Sequence, residues 1–315
     1  MGAVSYTLGG GLGILAREFG CAAGHVRRLE VATADGEVRR VTPEADPELY
    51  RALLGAGQNL GIVTELEIGL VPVRALYGGS LAFDGRVVDP AAPLRAYEAW
   101  TRTVPDGLTS SFAAVPYPDL PVLPPHLRGT YVVSVRVAHT GADGDALVAP
   151  LREIGPALSD TLRTMPYAES HTIHSDPDFP HASYGDSTVL RDLDVERAGE
   201  LLRATGPGAP AMCVVQVNHL GGAPARPAPN AVPWREGRFL ARLLRAGERA
   251  RALLDPVFAL PAEHTLGRSL NFAFGAGDRG AGLYEPETRK RLARVKEDYD
   301  PANLFRRNYG VSAAC

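Results

Sequence analysis

The sequence predicts an α+β fold: a large antiparallel sheet with helices on one face, beside a smaller glycine-punctuated unit. Three observations predict it. From residue 76 to about 265, strand-like runs alternate with alanine- and leucine-rich helical stretches and long proline-rich connections, as expected where helices are segregated to one face of a sheet. Residues 1–75 read instead as hairpin, helix and strand, with glycine at both junctions. An amphipathic helix then closes the chain at 285–299.

In the first segment, Leu29–Val41 (LEVATADGEVRRV) is two strand-like runs about Asp35-Gly36, a pair that predicts a type I′ hairpin turn. A helix is expected at about 45–54, where Leu49, Leu53 and Leu54 share a face behind Asp46-Pro47. Gly55–Gly61 breaks it, and Ile62–Val71 alternates as a strand with Ile62, Thr64, Leu66, Ile68 and Leu70 on one face. In the second segment, strands are expected at Tyr131–Val137 and Met212–Val217. Helices are expected near 91–103, 143–154, 192–204 and 239–254, with proline-rich connections at 115–125 and 224–233. In the closing helix Pro286 lies in the first turn, Leu292, Val295 and Tyr299 form one stripe, and Asp300-Pro301 ends it.

Composition narrows the function classes. With 315 residues, 45% hydrophobic and 22% charged, the chain can bury a core without disulfide or metal staples. A net charge of −3 and no dense Lys/Arg tract argue against nucleic-acid binding, which needs a basic face. Cys21, Cys213 and Cys315 are far apart with no CxxC spacing, so free thiols in a reducing compartment are expected. No apolar run approaches the roughly eighteen residues of a membrane span, and residues 1–15 lack a basic region before an apolar core. A cytoplasmic protein is therefore expected, with an export signal upstream of Met1 left open.

Thr7–Gly13 (TLGGGLG) is the strongest local signal. Consecutive glycines allow positive φ and close approach of backbone to a ligand, and successive N–H groups can form a nest; a bare GGG also suits a mobile loop. It is neither a Rossmann fingerprint nor a P-loop. Gly55–Thr64 (GAGQNLGIVT) is a second glycine-rich turn, which a helix C-cap would equally explain. His171, His174 and His181 with Asp176 and Asp178 form a polar cluster, but its proline and serine content favours a loop over a metal site. Arg238, Arg242, Arg245, Arg249 and Arg251 read as a solvated helix face. Tyr299 and Phe305 read as core anchors.

The order of these motifs carries a resemblance. Tyr6–Val71, a GGGLG loop, a TADG hairpin, then DPELYRALLGAGQNLGIVTELEIGLV, resembles the second half of the FAD-binding domain of the berberine bridge enzyme family, whose FAD domain is of the PCMH or vanillyl-alcohol-oxidase type. Pro286–Val311 (PETRKRLARVKEDYDPANLFRRNYGV) is similar to that family's closing segment, and His219–Arg226 with Pro233–Glu236 to its substrate domain. The resemblance implies that residues 1–75 and 266–315 belong to one FAD-binding domain and 76–265 to a substrate domain. It implies FAD as cofactor and hydride transfer from a small-molecule substrate to flavin N5, with reoxidation by oxygen. Carried over by position, Tyr6, Leu8, Gly9, Gly10, Gly11 and Gly13 would line the flavin. Asn59, Gly61, Ile62 and Val63 would hold it through backbone contacts, and Asn308 would reach the isoalloxazine or ribityl region.

The chain departs from the family pattern in places. It starts a few residues before the GGG loop, so the family's upstream pyrophosphate loop and flavin-linking histidine are expected to be missing, or to come from a separate polypeptide. A non-catalytic protein retaining the substrate domain is the alternative expectation. Cys21 follows the loop and does not match the family's cysteine attachment. Ser269 stands where an aromatic residue is common, Trp234 where a histidine is, and the final motif reads Asn308-Tyr309-Gly310. No general base is identified.

Overall fold

The computed structural model describes residues 2–57, 59–121, 123, 125, 127–175, 183–210, 212–246, 264–273, 280–306 and 309–311. Two sheets organise it. The smaller has the order β2-β1-β3, from β1 (Val26–Ala32), β2 (Val38–Val41) and β3 (Ile62–Ile68). Two short helices, α1 (Ala3–Leu8) and α2 (Ala16–Phe19), precede it, and α3 (Pro47–Ala56) lies between β2 and β3.

Asp46 caps α3 by accepting from the Leu49 N–H at 3.1 Å, with Pro47 at the first helical position. The buried face of α3, Leu49, Tyr50, Leu53 and Leu54, packs on Leu29, Val31 and Val41 of the sheet and on Leu292 and Val295 of the last helix, α7 (Pro286–Tyr299). The same cluster includes Leu8, Ala231 and Ala273, so it joins residues from both ends of the chain and from its middle.

Two local expectations are corrected. The β1–β2 turn is not type I′, because among Ala34, Asp35 and Gly36 only Gly36 has positive φ (83°). Gly36 N–H bonds to the Thr33 carbonyl, and Thr33 N–H to the Glu37 carbonyl. This is a three-residue loop, a tight turn followed by a left-handed glycine. Strand β3 ends at Ile68 and does not keep one face throughout. The register with β1 slips between Glu30 and Val31, so Thr64 is bulged out. Ile62 and Thr64 consequently face solvent, while Val63 and Leu66 pack on the core.

Among the described residues the second sheet has nine strands, in the order β12-β9-β11-β10-β5-β6-β4-β7, with β8 also pairing with β4, all antiparallel. The strands are β4 (Ala75–Asp84), β5 (Thr109–Pro116), β6 (Tyr131–His139), β7 (Ser159–Asp160), β8 (Arg163–Pro166), β9 (Ser183–Leu190), β10 (Val214–His219), β11 (Phe239–Ala246) and β12 (Thr265–Gly267). Helices α4 (Ala91–Thr101), α5 (Gly144–Arg152) and α6 (Val195–Thr205) cover one face. There Leu94, Tyr97, Trp100, Val148, Leu151 and Leu202 bury Phe83, Phe112, Val133, Val135, Val137, Val215, Val217 and Phe239.

The helix expected at 239–254 is a strand over Phe239–Ala246, hydrogen-bonded to β10 on one side and β9 on the other; residues 247–254 lie outside the described residues. Phe239, Ala241 and Leu243 enter the helix-side core, but Leu240 and Leu244 on the opposite face hide the two-residue period. Strands β4, β5 and β9 were likewise not expected as strands. Among the described residues no helix is long and apolar enough to cross a membrane.

Candidate functional site

The alternation of the large sheet sends its apolar residues toward the helices and its polar ones the other way. Partnered residues share a face, so the pairings Asn218↔Ser111 and Ser111↔Arg136 place these three in one row across β10, β5 and β6. Gln216 and Arg242 follow in the next row, itself paired. Against this polar face lies the glycine loop, and the two enclose a cavity of about 270 Å³. Tyr6, Leu12, Gly13 and Ile14 form one wall, and Thr109, Ser111, Arg136, Gln216, Asn218 and Arg242 the other, with Phe272 and His174 at the side.

Two backbone pairings fold the loop. The carbonyls of Gly10 and Gly11 accept from the N–H groups of Ala23 (2.9 Å) and Ala22 (2.8 Å). Gly10 and Gly11 have φ of 110° and 76°, available to glycine at little cost. A Cβ on Gly11 would stand 2.6 Å from Ala22 Cβ and 2.8 Å from the Tyr6 ring, whereas one on Gly13 would meet only the Tyr6 hydroxyl at 3.7 Å. The N–H groups of Leu12, Gly13 and Ile14 have no hydrogen-bond partner among the described residues, and all three residues line the cavity. The loop therefore offers a run of backbone donors beside an aromatic ring. Burial, with smaller contributions from Cys21 and Tyr167, pushes the Tyr6 phenol up to about 12, so it is a neutral hydrogen-bond donor near pH 7.

Arg17 of α2 pins this loop to the sheet. Its buried guanidinium donates to the Leu108 carbonyl (2.8 Å), to the Leu220 carbonyl and to His219 Nε2 (3.1 Å). Arginine has only donors, so His219 accepts at Nε2 and carries its proton on Nδ1. Burial, reinforced by Arg17 and Arg238, lowers the His219 pKa to about 3. Gly222, at φ 62°, lets the chain after β10 run so close that a Cβ there would be 2.3 Å from the Arg17 carbonyl.

A second network holds the Gly55–Gly61 turn. Asn59 is buried and donates to the carbonyls of Ala56 (2.6 Å) and Tyr309 (3.0 Å). Lys296 of α7, also buried, donates to the Asn59 carbonyl (2.7 Å), to Asp300 (2.5 Å) and to the Phe305 carbonyl (3.1 Å). Asp300 in turn accepts from the N–H groups of Leu304 and Phe305. Burial raises its pKa, but these hydrogen bonds outweigh it and hold the carboxyl below its usual value. Gly55 (φ 138°) sits where a Cβ would strike the Ala231 carbonyl carbon at 2.5 Å, and Ala231 N–H bonds to the Leu54 carbonyl.

Comparison with known proteins places these features. Residues 266–312 match the family described as berberine and berberine like. The chain is 26% identical to (R)-6-hydroxynicotine oxidase of Paenarthrobacter nicotinovorans over 99% of its own length and 70% of that protein's. It is 26% identical to an FAD-linked oxidoreductase of Bacillus subtilis (strain 168), over 97% of this chain and 69% of the relative. The oxidoreductase similarity runs through nearly the whole chain, and the family match covers its closing segment. The closing segment thus carries the berberine-like family motif, and the whole chain is similar to FAD-linked oxidoreductases. Among solved structures, chitooligosaccharide oxidase superposes with a TM-score of 0.81 at 19% identity, covering 100% of this chain and 72% of that one. The 6-hydroxy-D-nicotine oxidase of Arthrobacter nicotinovorans gives 0.77 at 23%, covering 99% and 71%. The fold is theirs.

In this chain, the residues expected at the cofactor are not gathered in one place. Tyr6 and Gly13 line the cavity, while Gly9, Gly10 and Gly11 line a smaller groove of about 70 Å³ behind the loop. Leu8 is buried in the small-sheet core. Asn59 spends its side-chain amide on the protein, and Gly61 packs against the Ala32 carbonyl. Ile62 and Val63 lie on β3, an edge strand; Asn308 lies outside the described residues.

The expectation of a solvated arginine helix is overturned. Arg238 bonds Asp192 (2.6 Å), Glu98 (3.2 Å) and Thr101 (3.1 Å), Arg242 bonds Gln216 and stacks on Phe272, and Arg245 bonds the Met212 carbonyl (2.7 Å). Arg249 and Arg251 lie outside the described residues, as do His181, Asp176 and Asp178. Among the described residues no cluster could hold a metal ion. Sequence reading missed Ser111, Arg136, Gln216 and Asn218 altogether, because only strand register brings them together.

Proposed function

We propose that this protein is an FAD-dependent oxidase of a small organic molecule, with the flavin lying along the Leu12–Ile14 backbone and the substrate between it and the polar face of the large sheet. The N–H groups of Leu12, Gly13 and Ile14, without a partner among the described residues, carry the reading. They form a donor cradle of the kind that meets the acceptor edge of a flavin, and the open space at Gly13 leaves room for a ring. When bound, FAD accepts a hydride from a substrate carbon and passes the electrons to oxygen.

The chain's own residues supply the surroundings. Tyr6, kept protonated, donates a hydrogen bond into the cavity. Arg17 fixes the loop against the end of β10. The Lys296–Asp300 pair fixes the Asn59 turn, through which Gly61, Ile62 and Val63 would reach the cofactor, with Asn308 as a further contact. Residues 1–75 and 266–315 would form the FAD-binding unit and 76–265 the substrate unit. The chain spans about 70% of its relatives' length. The remainder of a unit of that size, in the same or a separate polypeptide, would meet it along β3, where Ile62 is 59% and Ile68 36% exposed.

An absorbance spectrum of the purified protein, before and after acid precipitation and after titration with FAD, tests the reading. Flavin bands at stoichiometric occupancy are expected. A protein that neither carries nor takes up FAD contradicts it.

A further inference from the structure

Resting on the flavin reading proposed above, we infer that Asn271 is a positioning residue for the flavin's seat, and that Gly9 is glycine in order to receive its side chain. Helix α1 leads into the glycine loop, and the carbonyls of its last turn need partners from outside the helix. The Ser5 and Thr7 carbonyls accept from the N–H groups of Gly9 (3.2 Å) and Gly10 (3.0 Å), and the Leu8 carbonyl accepts from Gly57 N–H (3.2 Å). Tyr6 is left, and its carbonyl accepts from Asn271 Nδ2 at 2.9 Å. A carbonyl has no donor, so the amide is oriented: Nδ2 faces Tyr6 and Oδ1 is turned the other way. There it meets Gly9, where a Cβ would stand 1.7 Å from Oδ1. Gly9 has φ −87° and ψ 3°, angles that other residues adopt in type I turns. Unlike Gly10 and Gly11, it is therefore not required for its backbone conformation; the buried Asn271 amide, 6% exposed, occupies the place of its side chain.

The segment that carries Asn271 explains what this contact transmits. Leu270–Phe272 is a single 3₁₀ turn, and each of its residues meets a different wall. Leu270 packs on Gly57, where a Cβ would stand 3.1 Å from Leu270 Cδ2. Asn271 holds the glycine loop, and Phe272 lines the cavity with the Arg242 guanidinium 4.7 Å above its ring. The turn is tied back to β9, where Ser269 N–H donates to Ser187 Oγ (3.2 Å) and Arg268 pairs with Asp186 (2.5 Å). One short turn thus joins the large sheet to both glycine turns. Asn271 is its link to the loop: with the Tyr6 carbonyl held and Gly9 seated, Gly10 and Gly11 keep their pairings to Ala23 and Ala22, and Leu12–Ile14 stay against the cavity. A site fixed in this way depends on side chains that never touch the ligand.

FAD is titrated into the full chain and into its Asn271→Ala, Asn271→Leu and Gly9→Ala variants, with affinity read by flavin fluorescence and folding by far-ultraviolet circular dichroism. Amide exchange is measured on the same proteins without FAD, in peptides covering residues 9–14 and 21–24. Asn271→Ala is expected to weaken FAD binding at least tenfold and to speed exchange at least tenfold in both peptides. Asn271→Leu, similar in volume but with no donor for Tyr6, is expected to do the same, and so is Gly9→Ala, which displaces the amide. The two positions are expected to be coupled. In an Asn271→Ala background, Gly9→Ala adds less than about twofold, which two independent destabilisations would not give. The inference is overturned if folded Asn271→Ala keeps the loop's exchange rate or its FAD affinity, if Asn271→Leu binds FAD like the unaltered protein, or if the two substitutions act independently. If Asn271→Ala does not fold, Asn271→Leu and Gly9→Ala carry the same comparison. An unaltered protein that takes up no FAD defeats the flavin reading, while the exchange rates still decide whether Asn271 holds the loop: faster exchange in the variants retains that role and unchanged exchange removes it.

Discussion

At the scale of single residues, two buried ionisable groups hold the site in shape, and each makes a prediction. Lys296 and Asp300 are almost fully enclosed (side chains 4% and 0% exposed) and bond each other as well as backbone atoms. Removing one partner strands the other charge. Lys296→Met is therefore expected to cost about 3–5 kcal/mol, read as a fall in the denaturation midpoint at unchanged m-value; a change below about 1 kcal/mol would refute the role. His219 is the second group. Its pKa falls from the ordinary value to about 3 on folding, so the unfolded chain binds a proton more readily. The stability this confers is complete above about pH 6.5 and is lost as the pH falls from there toward 3. His219→Gln is expected to flatten the fall of melting temperature between pH 6.5 and 4 relative to the unaltered protein, and parallel curves would contradict the assignment. Neither role was legible beforehand. The sequence presents Lys296 and Asp300 within a motif and His219 beside two glycines, but their burial depends on partners far along the chain.

The elements show where local pattern suffices and where it does not. Helices α3 and α7 were readable because capping and proline signals coincide with a one-sided apolar stripe. The β1–β2 hairpin was readable in place but not in turn type, since Asp-Gly serves both two- and three-residue loops and the choice follows from the register. Strand β11 was misread because leucine, alanine and arginine favour a helix, while its position between β9 and β10 imposes a strand. The GGGLG loop was visible as a backbone device, and the structure adds what its glycines avoid. Gly11→Ala would bring a Cβ into Ala22 and the Tyr6 ring at a φ of 76°. It is expected to weaken FAD binding at least tenfold in a fluorescence titration, with retained far-ultraviolet circular dichroism. Unchanged affinity would show that the loop does not shape the site. Gly55→Ala, at φ 138° against Ala231, is expected to destabilise by roughly 1–3 kcal/mol, measured by urea unfolding.

Over the whole molecule, the sheet's two faces divide the labour. One buries Phe112, Val135 and Val217 under three helices, and the other presents Ser111, Arg136, Gln216 and Asn218 to the glycine loop. The family resemblance was readable from the order of widely separated motifs, whereas the polar wall of the cavity was not, because strand pairing alone assembles that wall. The account stands on the Leu12–Ile14 backbone being the flavin's seat, and amide hydrogen exchange of the full chain with and without FAD tests that directly. FAD is predicted to slow exchange in peptides covering residues 11–15 by at least tenfold, with little change in α4 or α6. Bound flavin that leaves those amides exchanging at the FAD-free rate would contradict the account.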